Sequence, residues 1–412
     1  MTASAVSSVG DDYRPNDLSA DPYPFYARAR REEPVFFSPA MNAYVVTTFR
    51  DARAVLADPD TYSLAAVLRP LEQLPPEVRA EIDAAVPVLP ASHGDPGDEA
   101  RRRAAEATRL AFSRAEVDQQ AEHLRSVVAD LIDRFAAAGP GDLMSGLARA
   151  LPVHGKAKTL GIDPADVPAV VDGSYSLTYL MSGSDNLDAG EQMAAARRVA
   201  AYQRLLDRYA QQRHDQPCDD LISAVVAAVR PTDRSLPVAA RRTVIESLTG
   251  LIGAGQNTTT AMIGTAMWQL LRHSAQWELL RSRPELASGA VEELTRYDLP
   301  LQGLFRQTTR AVRLGDKDLA AGVRVMVLFA SANRDETVFE RPDELDITRK
   351  PQRHMSYGHG PRSCVGSYLA RQLLQYTVVG LIDRLPGLRL AGDGPVFVPG
   401  MHRIIHRLDV AW

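Results

Sequence analysis

Hydrophobic residues recur along most of the chain at the 3.6-residue spacing of α-helices. The longest such pattern begins after Pro237 and ends near His273, so we predict one long helix there. The same spacing predicts a short amphipathic helix within 19–33 and further helices at about 51–56, 99–138, 142–151, 164–182, 189–213, 218–230, 275–282, 285–297 and 364–383.

Other segments alternate between apolar and polar residues, as β-strands do. We predict strands over 41–49, in the segment that follows Pro300, and within 386–412. Residues 64–98 and 335–363 have no steady period. We expect the first to form a long, partly helical loop over a site, because long loops often cover functional sites, and the second an irregular meander.

The N-terminal residues 1–18 are rich in Ser, Gly and Asp, which predicts a flexible tail. No internal repeat or low-complexity linker divides the rest of the chain, so we predict a single domain over 19–412. The predicted fold class is mainly α with small β-sheets near each end of the domain. A chain of 412 residues, 45% of them hydrophobic, is large enough to enclose a cofactor.

A stretch without charged residues runs from Ser247 to Leu271 and has the length of a membrane span. Its polar side chains, among them Gln256 and Asn257, would be costly against lipid. We therefore expect a long helix buried inside protein. The N-terminus also lacks the basic and then apolar order of a secretory signal.

Charge and cysteine content narrow the function classes further. Lys and Arg number 47 and Asp and Glu number 51, so the net charge is −4 and gives no basic signal for nucleic acid. The two cysteines are Cys218 and Cys364, and a chain of this length does not need a disulfide. We predict a cytoplasmic protein with no membrane and no nucleic-acid partner.

The segment 356–366 carries the strongest chemical signal, because three glycines and a proline surround Cys364 just before a predicted helix. Helix N-termini and amide donors stabilise thiolates, and a thiolate is an axial ligand for haem iron. Two alternatives remain open from the residues alone. Cys364 could be a buried structural cysteine, or it could bind zinc together with His354 and His359.

This segment resembles the cysteine-ligand loop of the cytochromes P450, F-x-x-G-x-x-x-C-x-G, through Tyr357, Gly360, Cys364 and Gly366. Tyr stands where the family usually has Phe. The resemblance implies haem b, iron protoporphyrin IX, between the long helix and this loop, with Cys364 as the iron ligand. It further implies haem contacts in the loop and on the helix that faces it, from Tyr357, Gly358, Gly366, Arg362 and Ala254.

Other family marks occur in the expected order. Glu293 and Arg296 match the E-x-x-R motif, and Arg349 resembles its third, structural partner. Arg306 stands where the family has an arginine that binds a haem propionate. On residues alone, the E-x-x-R pair would be read as a solvated helix pair, so the resemblance rests on the motifs together.

The sequence departs from the family within the long helix. Residues 254–259 resemble the oxygen-activation motif, in which an acid precedes a threonine, but Asn257 stands in the place of the acid and Thr258 keeps the hydroxyl. The catalytic candidates are Gln256, Asn257 and Thr258. An amide does not shuttle protons as a carboxylate does, so oxygen activation could be slower, unless water or another acid compensates.

A second departure lies in the predicted helix that begins near Glu99. The family usually has a propionate-binding basic residue there, and our register puts Ala105 at that position and Arg101 one turn earlier. Arg101 is the candidate haem contact, although the run Arg101–Arg103 could also be a solvated face. In the family a ferredoxin docks on this face.

The substrate pocket implied by the resemblance is apolar, which suits a small to medium apolar or aromatic substrate. Gln256 and Gln302 could add hydrogen bonds. Each pocket residue could instead be ordinary core. The candidates are Leu251, Leu301, Leu304, Phe305 and Met401, with Leu68, Leu71, Val86, Val88 and Leu89 from the early loop.

The resemblance implies a monooxygenase that hydroxylates C–H bonds or removes O-methyl groups, with a ferredoxin and a ferredoxin reductase as electron donors. Because Asn257 and Ala105 both weaken the usual route, we also expect good use of hydrogen peroxide in place of these partners. Two other classes stay open: a haem-binding sensor or scaffold, and a haem-thiolate isomerase or dehydratase that needs no oxidant.

Overall fold

The computed structural model describes residues 8–64, 74–84, 99–182, 187–230, 235–392 and 394–412. The chain is mainly helical with small sheets, which confirms the predicted fold class. The helices are α1 (Val9–Asp12), α2 (Tyr23–Glu32), α3 (Phe49–Ala57), α4 (Pro76–Asp83), α5 (Glu99–Ala111), α6 (Arg114–Gln119), α7 (Ala121–Ala138), α8 (Leu151–Leu160), α9 (Val167–Ser182), α10 (Ala189–Asp215), α11 (Leu221–Val229), α12 (Val238–Arg272), α13 (Ser274–Ser282), α14 (Ala287–Tyr297), α15 (Phe329–Ala332) and α16 (Ser367–Arg384).

The largest sheet has the strand order β1-β2-β8-β5-β3, in which β2 and β8 run parallel and the other neighbours antiparallel. Smaller sheets join β4, β12 and β9, then β10 and β11, and then β6 and β7. The strands are β1 (Val35–Ser38), β2 (Ala43–Val46), β3 (Tyr62–Ser63), β4 (Gly141–Asp142), β5 (Leu304–Thr308), β6 (Val312–Leu314), β7 (Lys317–Leu319), β8 (Arg324–Val327), β9 (Arg389–Leu390), β10 (Val396–Val398), β11 (Ile404–Arg407) and β12 (Asp409–Ala411).

The long helix α12 has the predicted bounds and passes through the helical core. Its buried positions lie on more than one side, which is typical of a helix surrounded by protein. Among the described residues we find no helix with the length and apolarity that a membrane span requires. The uncharged stretch therefore belongs to the core, as its polar residues predict.

The N-terminal segment differs from the predicted flexible tail from residue 8 onward. The Tyr13 side chain is buried, stacks on Phe25 at 5.2 Å between ring centroids, and meets the edge of Phe36 at 5.6 Å. A side chain on Gly10 would lie 1.8 Å from the Phe37 carbonyl oxygen, so α1 can approach β1 only through a glycine. The buried aromatic side chains hold this part of the chain in place. Its Ser, Gly and Asp content gives no indication of that packing.

The continuous helical pattern over 99–138 is divided into α5, α6 and α7. The break between α5 and α6 occurs at Ser113, whose side chain accepts a hydrogen bond from the Glu116 amide and caps α6.

The helix predicted over 142–151 is also interrupted, directly after β4. There the Asp142 carboxylate caps a π-helix, Met144–Ala148, that precedes α8.

The early loop over 64–98 contains α4, while 65–73 and 85–98 lie outside the described residues. Strand β1 is not predictable from an alternating pattern, because the sequence VFFS of Val35–Ser38 is too short and too apolar to alternate. Its pairing with β2, from Val35 opposite Val46, identifies it as an outer strand of the large sheet.

Asp298, which follows α14, joins distant parts of the fold and is fully buried. Its carboxylate accepts hydrogen bonds from the Tyr23 hydroxyl at 2.8 Å and from Arg403 Nε at 2.9 Å, and also from the Gln269 amide. Burial opposes ionisation, but the charge of Arg403 and these bonds outweigh it and lower the pKa of Asp298. This carboxylate thus ties α2, α12 and the start of β11 together.

We predict that Asp298→Ala lowers the free energy of unfolding by about 3–5 kcal/mol, because it leaves the Arg403 charge buried and unpaired. Urea unfolding of the purified protein at pH 7 measures the change. The exposed Asp383→Ala is the matched control and is expected to stay within about 0.5 kcal/mol of the wild type. Equal stability of both variants would contradict the assigned role of Asp298.

Candidate functional site

The segment 356–366, which we call the cysteine loop, is shaped by backbone hydrogen bonds. The Cys364 amide donates to the Tyr357 carbonyl at 2.8 Å. Gly358 and Gly360 both have φ near +70°, a region in which side chains are strained. A side chain on Gly360 would lie 2.7 Å from the Leu56 carbonyl oxygen, so the loop packs tightly on α3. These contacts fix the position of Cys364.

The Cys364 side chain reaches solvent, although protein surrounds it on most sides. That burial raises the pKa of the thiol, while the Gly366 amide and the charge of Arg371 act in the opposite direction. The nearby amide thus favours the thiolate as predicted, but burial is the larger effect, and α16 begins only at Ser367. A cation bound to the sulfur would supply the missing stabilisation.

Tyr357, which stands where the family has Phe, lies beneath a charged network. The Arg371 guanidinium covers its ring at 4.0 Å, and its hydroxyl is hydrogen-bonded to Thr295. Arg371 in turn binds Glu292, which also accepts from His354 at 3.1 Å. Burial alone would raise the pKa of Glu292, but the bonds from His354 and Arg371 lower it to about 2.

The sequence alone does not reveal this network. In the sequence His354 is a candidate zinc ligand only, and Glu292 is obscured by the neighbouring Glu293 of the E-x-x-R motif. Among the described residues no group of three or more His, Cys, Asp or Glu side chains is arranged to hold a metal ion. The pairing of His354 with Glu292 thus removes the zinc alternative with His359 and Cys364.

The structure brings the three residues of the E-x-x-R set together. Arg296 binds Glu293 through two contacts of 2.8 and 2.9 Å, and both side chains are almost fully buried. Arg349 adds a contact of 3.1 Å to the same carboxylate. Arg296 also donates to the Asn333 carbonyl at 2.9 Å, so the set connects α14 with the segment before the cysteine loop.

Arg306 and Arg362 place two positive charges near one another. Arg306 is buried, and burial together with the like charge of Arg362 lowers its pKa to about 10. Its hydrogen bond goes to the Phe305 carbonyl at 2.7 Å, and within the described part of the chain it has no carboxylate partner. A ligand with carboxylate groups is the complement that these two arginines require.

Arg101 does not share this environment. Its guanidinium forms an ion pair of 2.8 Å with Glu246 near the start of α12, so an acid of the protein already neutralises it. Arg103 is likewise bound, to Glu99 at 3.2 Å and to the Ala228 carbonyl at 2.8 Å. This geometry therefore does not support the proposed haem contact of Arg101. The sequence of a helix face does not reveal which residues pack against it.

The middle of α12, which we call the distal turn (residues 252–258), has one open face. Ala254 and Thr258 are exposed there although the rest of this helix is largely buried. Side chains built on the nearby Gly250 and Gly253 would meet nothing within 4 Å. The Thr258 hydroxyl donates to the Ala254 carbonyl at 2.8 Å, which turns its oxygen lone pairs outward.

The side chains of Gln256 and Asn257 in the same turn bind α9. Gln256 is fully buried and accepts a hydrogen bond from Ser174, and Asn257 Nδ2 donates to Thr178 Oγ1 at 2.7 Å. Of the three catalytic candidates, Thr258 is exposed, Asn257 is partly exposed and Gln256 is buried. Gln256 and Asn257 were grouped with Thr258 because they are adjacent in sequence, whereas a helix turns about 100° per residue.

The pocket candidates Leu251, Leu301, Leu304, Phe305 and Met401 are partly exposed. Leu304, Phe305 and Met401 pack against the core of the large sheet and Leu251 against the helical core, while Leu301 precedes β5. Gln302 is not available to a substrate, because it is buried and binds Tyr26 and the Leu299 carbonyl. The remaining candidates lie outside the described residues: Leu68, Leu71, Val86, Val88 and Leu89.

Comparison with known proteins identifies the family. A model described as cytochrome P450 matches residues 186–385. Nocardicin C N-oxygenase of Nocardia uniformis subsp. tsuyamanensis is 36% identical over 384 residues, which cover 91% of this chain and 90% of that protein. This chain belongs to the cytochrome P450 family. Mycinamicin IV hydroxylase/epoxidase of Micromonospora griseorubida is 32% identical over 85% of this chain and 83% of that protein.

Solved structures agree with this cytochrome P450 assignment. Cytochrome P450 CREJ in complex with (4-ethylphenyl) dihydrogen phosphate superposes with a TM-score of 0.84 and 27% identity, over 98% of this chain and all of that one. CalO2 gives a TM-score of 0.82 with 31% identity, over 97% and 98% of the two chains. The relatives are monooxygenases, so this chain is a cytochrome P450 monooxygenase.

The residues present fit the haem iron that the family binds. Cys364 offers a sulfur ligand, Arg306 and Arg362 offer charge for two carboxylates, and Ala254 and Thr258 are exposed on α12. In that order, these features correspond to the iron, to the carboxylate groups and to the face of the ring.

We predict that Glu292→Gln lowers the free energy of unfolding by about 3 kcal/mol at pH 7. The folded-state pKa of Glu292, about 2, lies below the unfolded value, so its ionisation stabilises the fold above about pH 4.5 and this contribution is lost as the pH falls toward 2. Urea unfolding at pH 7 and pH 3 is the measurement. The difference from wild type should shrink at pH 3, and the exposed Glu106→Gln should show no such loss.

Proposed function

We propose that this cytochrome P450 uses haem b to insert one oxygen atom into a small to medium, largely apolar substrate, by C–H hydroxylation or by oxidative O-demethylation. The observation that supports it best is the cysteine loop, in which the Gly366 amide is directed at the Cys364 sulfur. Cys364 would bind the iron, and Arg306 and Arg362 would bind the propionates. When bound, haem supplies the centre at which oxygen reacts.

The apolar side chains of Leu251, Leu304, Phe305 and Met401 support the substrate class. A pocket lined in this way binds ligands mainly through removal of apolar surface from water. The names of the relatives include an N-oxygenase, a hydroxylase/epoxidase and a steroid C26-monooxygenase. Their diversity agrees with a pocket whose shape, more than its charge, selects the substrate.

We also propose that hydrogen peroxide serves this enzyme well as oxidant. The Asn257 amide cannot exchange protons as a carboxylate does, and its N–H group is directed at Thr178 on α9. The Thr258 hydroxyl therefore lacks the acid that precedes it in most of the family. Peroxide arrives reduced and protonated, so it depends less on proton delivery through this turn.

The alternative electron donors are a ferredoxin and its reductase. Support comes from α5, where Arg102 and Arg109 are exposed and could attract an acidic protein. We propose the cytoplasm as the location, since Cys218 and Cys364 are both free thiols and a reducing compartment keeps them so.

We predict that the dithionite-reduced protein under carbon monoxide absorbs at about 450 nm, because a thiolate ligand shifts the band away from about 420 nm. Cys364→Ser should lose the long-wavelength band, whereas Cys218→Ser should keep it. A band at about 420 nm in folded wild-type protein would contradict the oxygenase proposal and favour a sensor or scaffold.

We predict that Asn257→Asp raises NADH-driven turnover through ferredoxin by about 10²-fold or more relative to peroxide-driven turnover, since it restores a proton-exchanging group. The substrate would be a terpenoid or methoxyarene selected by its effect on the Soret band. Both rates are measured as product formed per haem.

The matched control is Thr178→Val, which removes the partner of Asn257 on α9 without adding an acid. It should leave the ratio of the two rates near that of the wild type. Efficient NADH-driven turnover and poor peroxide-driven turnover in the unmodified enzyme would overturn the peroxide proposal while leaving the monooxygenase assignment intact.

A further inference from the structure

Lys156 on α8 is a buried lysine that none of the roles above uses. Its side chain is 3% exposed, and its Nζ donates a hydrogen bond to the Ile252 carbonyl on α12 at 2.9 Å. No carboxylate partner for it occurs in the described part of the chain. Lys317, by contrast, is paired with Glu33 at 2.9 Å and remains near the surface.

Two glycines allow this placement. A side chain on Gly255 would lie 3.1 Å from Lys156 Nζ, so the absence of one lets the amine lie against the backbone of the distal turn. A side chain on Gly155 would lie 2.7 Å from a methyl carbon of Leu373, so the neighbouring glycine presses α8 onto α16. Lys156 therefore stands where α8 meets both the distal turn and the helix that follows the cysteine loop.

The acceptor of Lys156 belongs to the turn that carries Thr258. Within a helix the Ile252 carbonyl is the regular acceptor for the Gln256 amide, and the Ala254 carbonyl accepts from the Thr258 hydroxyl. Two carbonyls of one turn thus each receive a side-chain donor, Lys156 on the buried side and Thr258 on the open side. A change at Lys156 would alter hydrogen bonding in the turn that positions Thr258.

Fold stability does not account for a lysine at this place. Burial of a cation without an acid is unfavourable, and an apolar side chain of similar length would cost less. Burial lowers the pKa of Lys156 to about 7, and no acidic or basic side chain of the helices packed on α8 contributes to that shift. Residues retained against stability concentrate at functional sites.

We propose that Lys156 is a positioning residue for oxygen activation: by holding the Ile252 carbonyl beside Gly255 it fixes the distal turn, and with it the Thr258 hydroxyl. In a chain with Asn257 in place of the usual acid, this hydrogen bond holds the turn from the side opposite its open face. The inference rests on the monooxygenase function, but two of its three readouts below do not need turnover.

The test compares Lys156→Met with Lys158→Met, which makes the same change at an exposed position of the same helix. The readouts, all on the haem-loaded protein, are the Tm at pH 7, the amide hydrogen exchange of the peptide covering 252–258, and the product formed per NADH consumed. We expect Lys156→Met to have the same Tm as the wild type or a higher one. Its amide hydrogens should exchange several-fold faster in the 252–258 peptide alone. Its yield of product per NADH should fall by at least about half, because the remaining oxygen is released as hydrogen peroxide. Lys158→Met should match the wild type.

Unchanged exchange and unchanged product per NADH in Lys156→Met would overturn the proposal. A lower Tm with faster exchange throughout the chain would also overturn it, since it would make Lys156 a general structural residue. If Lys156→Met fails to fold, Lys156→Gln, which keeps a donor, is measured instead. Its partial recovery of product per NADH supports the proposal, and its failure to recover contradicts it. If the wild type shows no turnover but hydrogen exchange in Lys156→Met is faster only in residues 252–258, the proposed monooxygenase function is refuted. The role of Lys156 in fixing the distal turn is then supported.

A pH series provides an independent check. The pKa of Lys156 is about 7 in the folded protein and near its ordinary, higher value when unfolded. Between about pH 7 and pH 10 the unfolded state binds more protons, so the stability of the wild type should rise relative to Lys156→Met. A constant difference over this range would show that Lys156 is not buried as described, and would overturn the proposal.

Discussion

The buried pairing of Arg296 with Glu293 is the interaction on which the cysteine loop depends. Arg296 also holds the Asn333 carbonyl, and Asn333 Oδ1 accepts from the Met355 amide at 2.6 Å, directly before the loop. Asn333 Nδ2 further donates to Ser356, whose hydroxyl binds α14. A buried ion pair contributes little net stability, but it admits few alternative geometries. In this protein the pair therefore fixes the position of the start of the cysteine loop.

The distal turn is held by contacts of a different kind. The distal turn is bound to α9 by neutral groups, Gln256 with Ser174 and Asn257 with Thr178, and to α8 by Lys156. A carboxylate at 257 would be a stronger acceptor and a proton carrier, and its replacement removes both properties at once. The cysteine loop is therefore fixed through ion pairs, whereas the distal turn is fixed by neutral contacts and by the buried amine of Lys156.

The sequence predicted those features whose determinants are local. The bounds of α12 followed from its period, and the cysteine loop and the E-x-x-R set followed from spacing that few other folds require. Contacts between distant segments were not predictable, because one sequence carries no record of its tertiary partners. Arg101 with Glu246 and Tyr13 with Phe36 are examples. The Ser113 cap that divides 99–138 was a local signal, but the longer hydrophobic period obscured it.

Helix α12 also concentrates the polar atoms that the fold leaves without partners. Among the described residues, buried and unpaired side-chain atoms on this helix include Thr265 Oγ1 and Gln269 Oε1. Each costs about 1–3 kcal/mol when no water reaches it, and the apolar surroundings of Lys156 add a further cost. Packing of the helical core offsets these costs, which lets α12 carry polar side chains in its buried part as well as Thr258 on its open face.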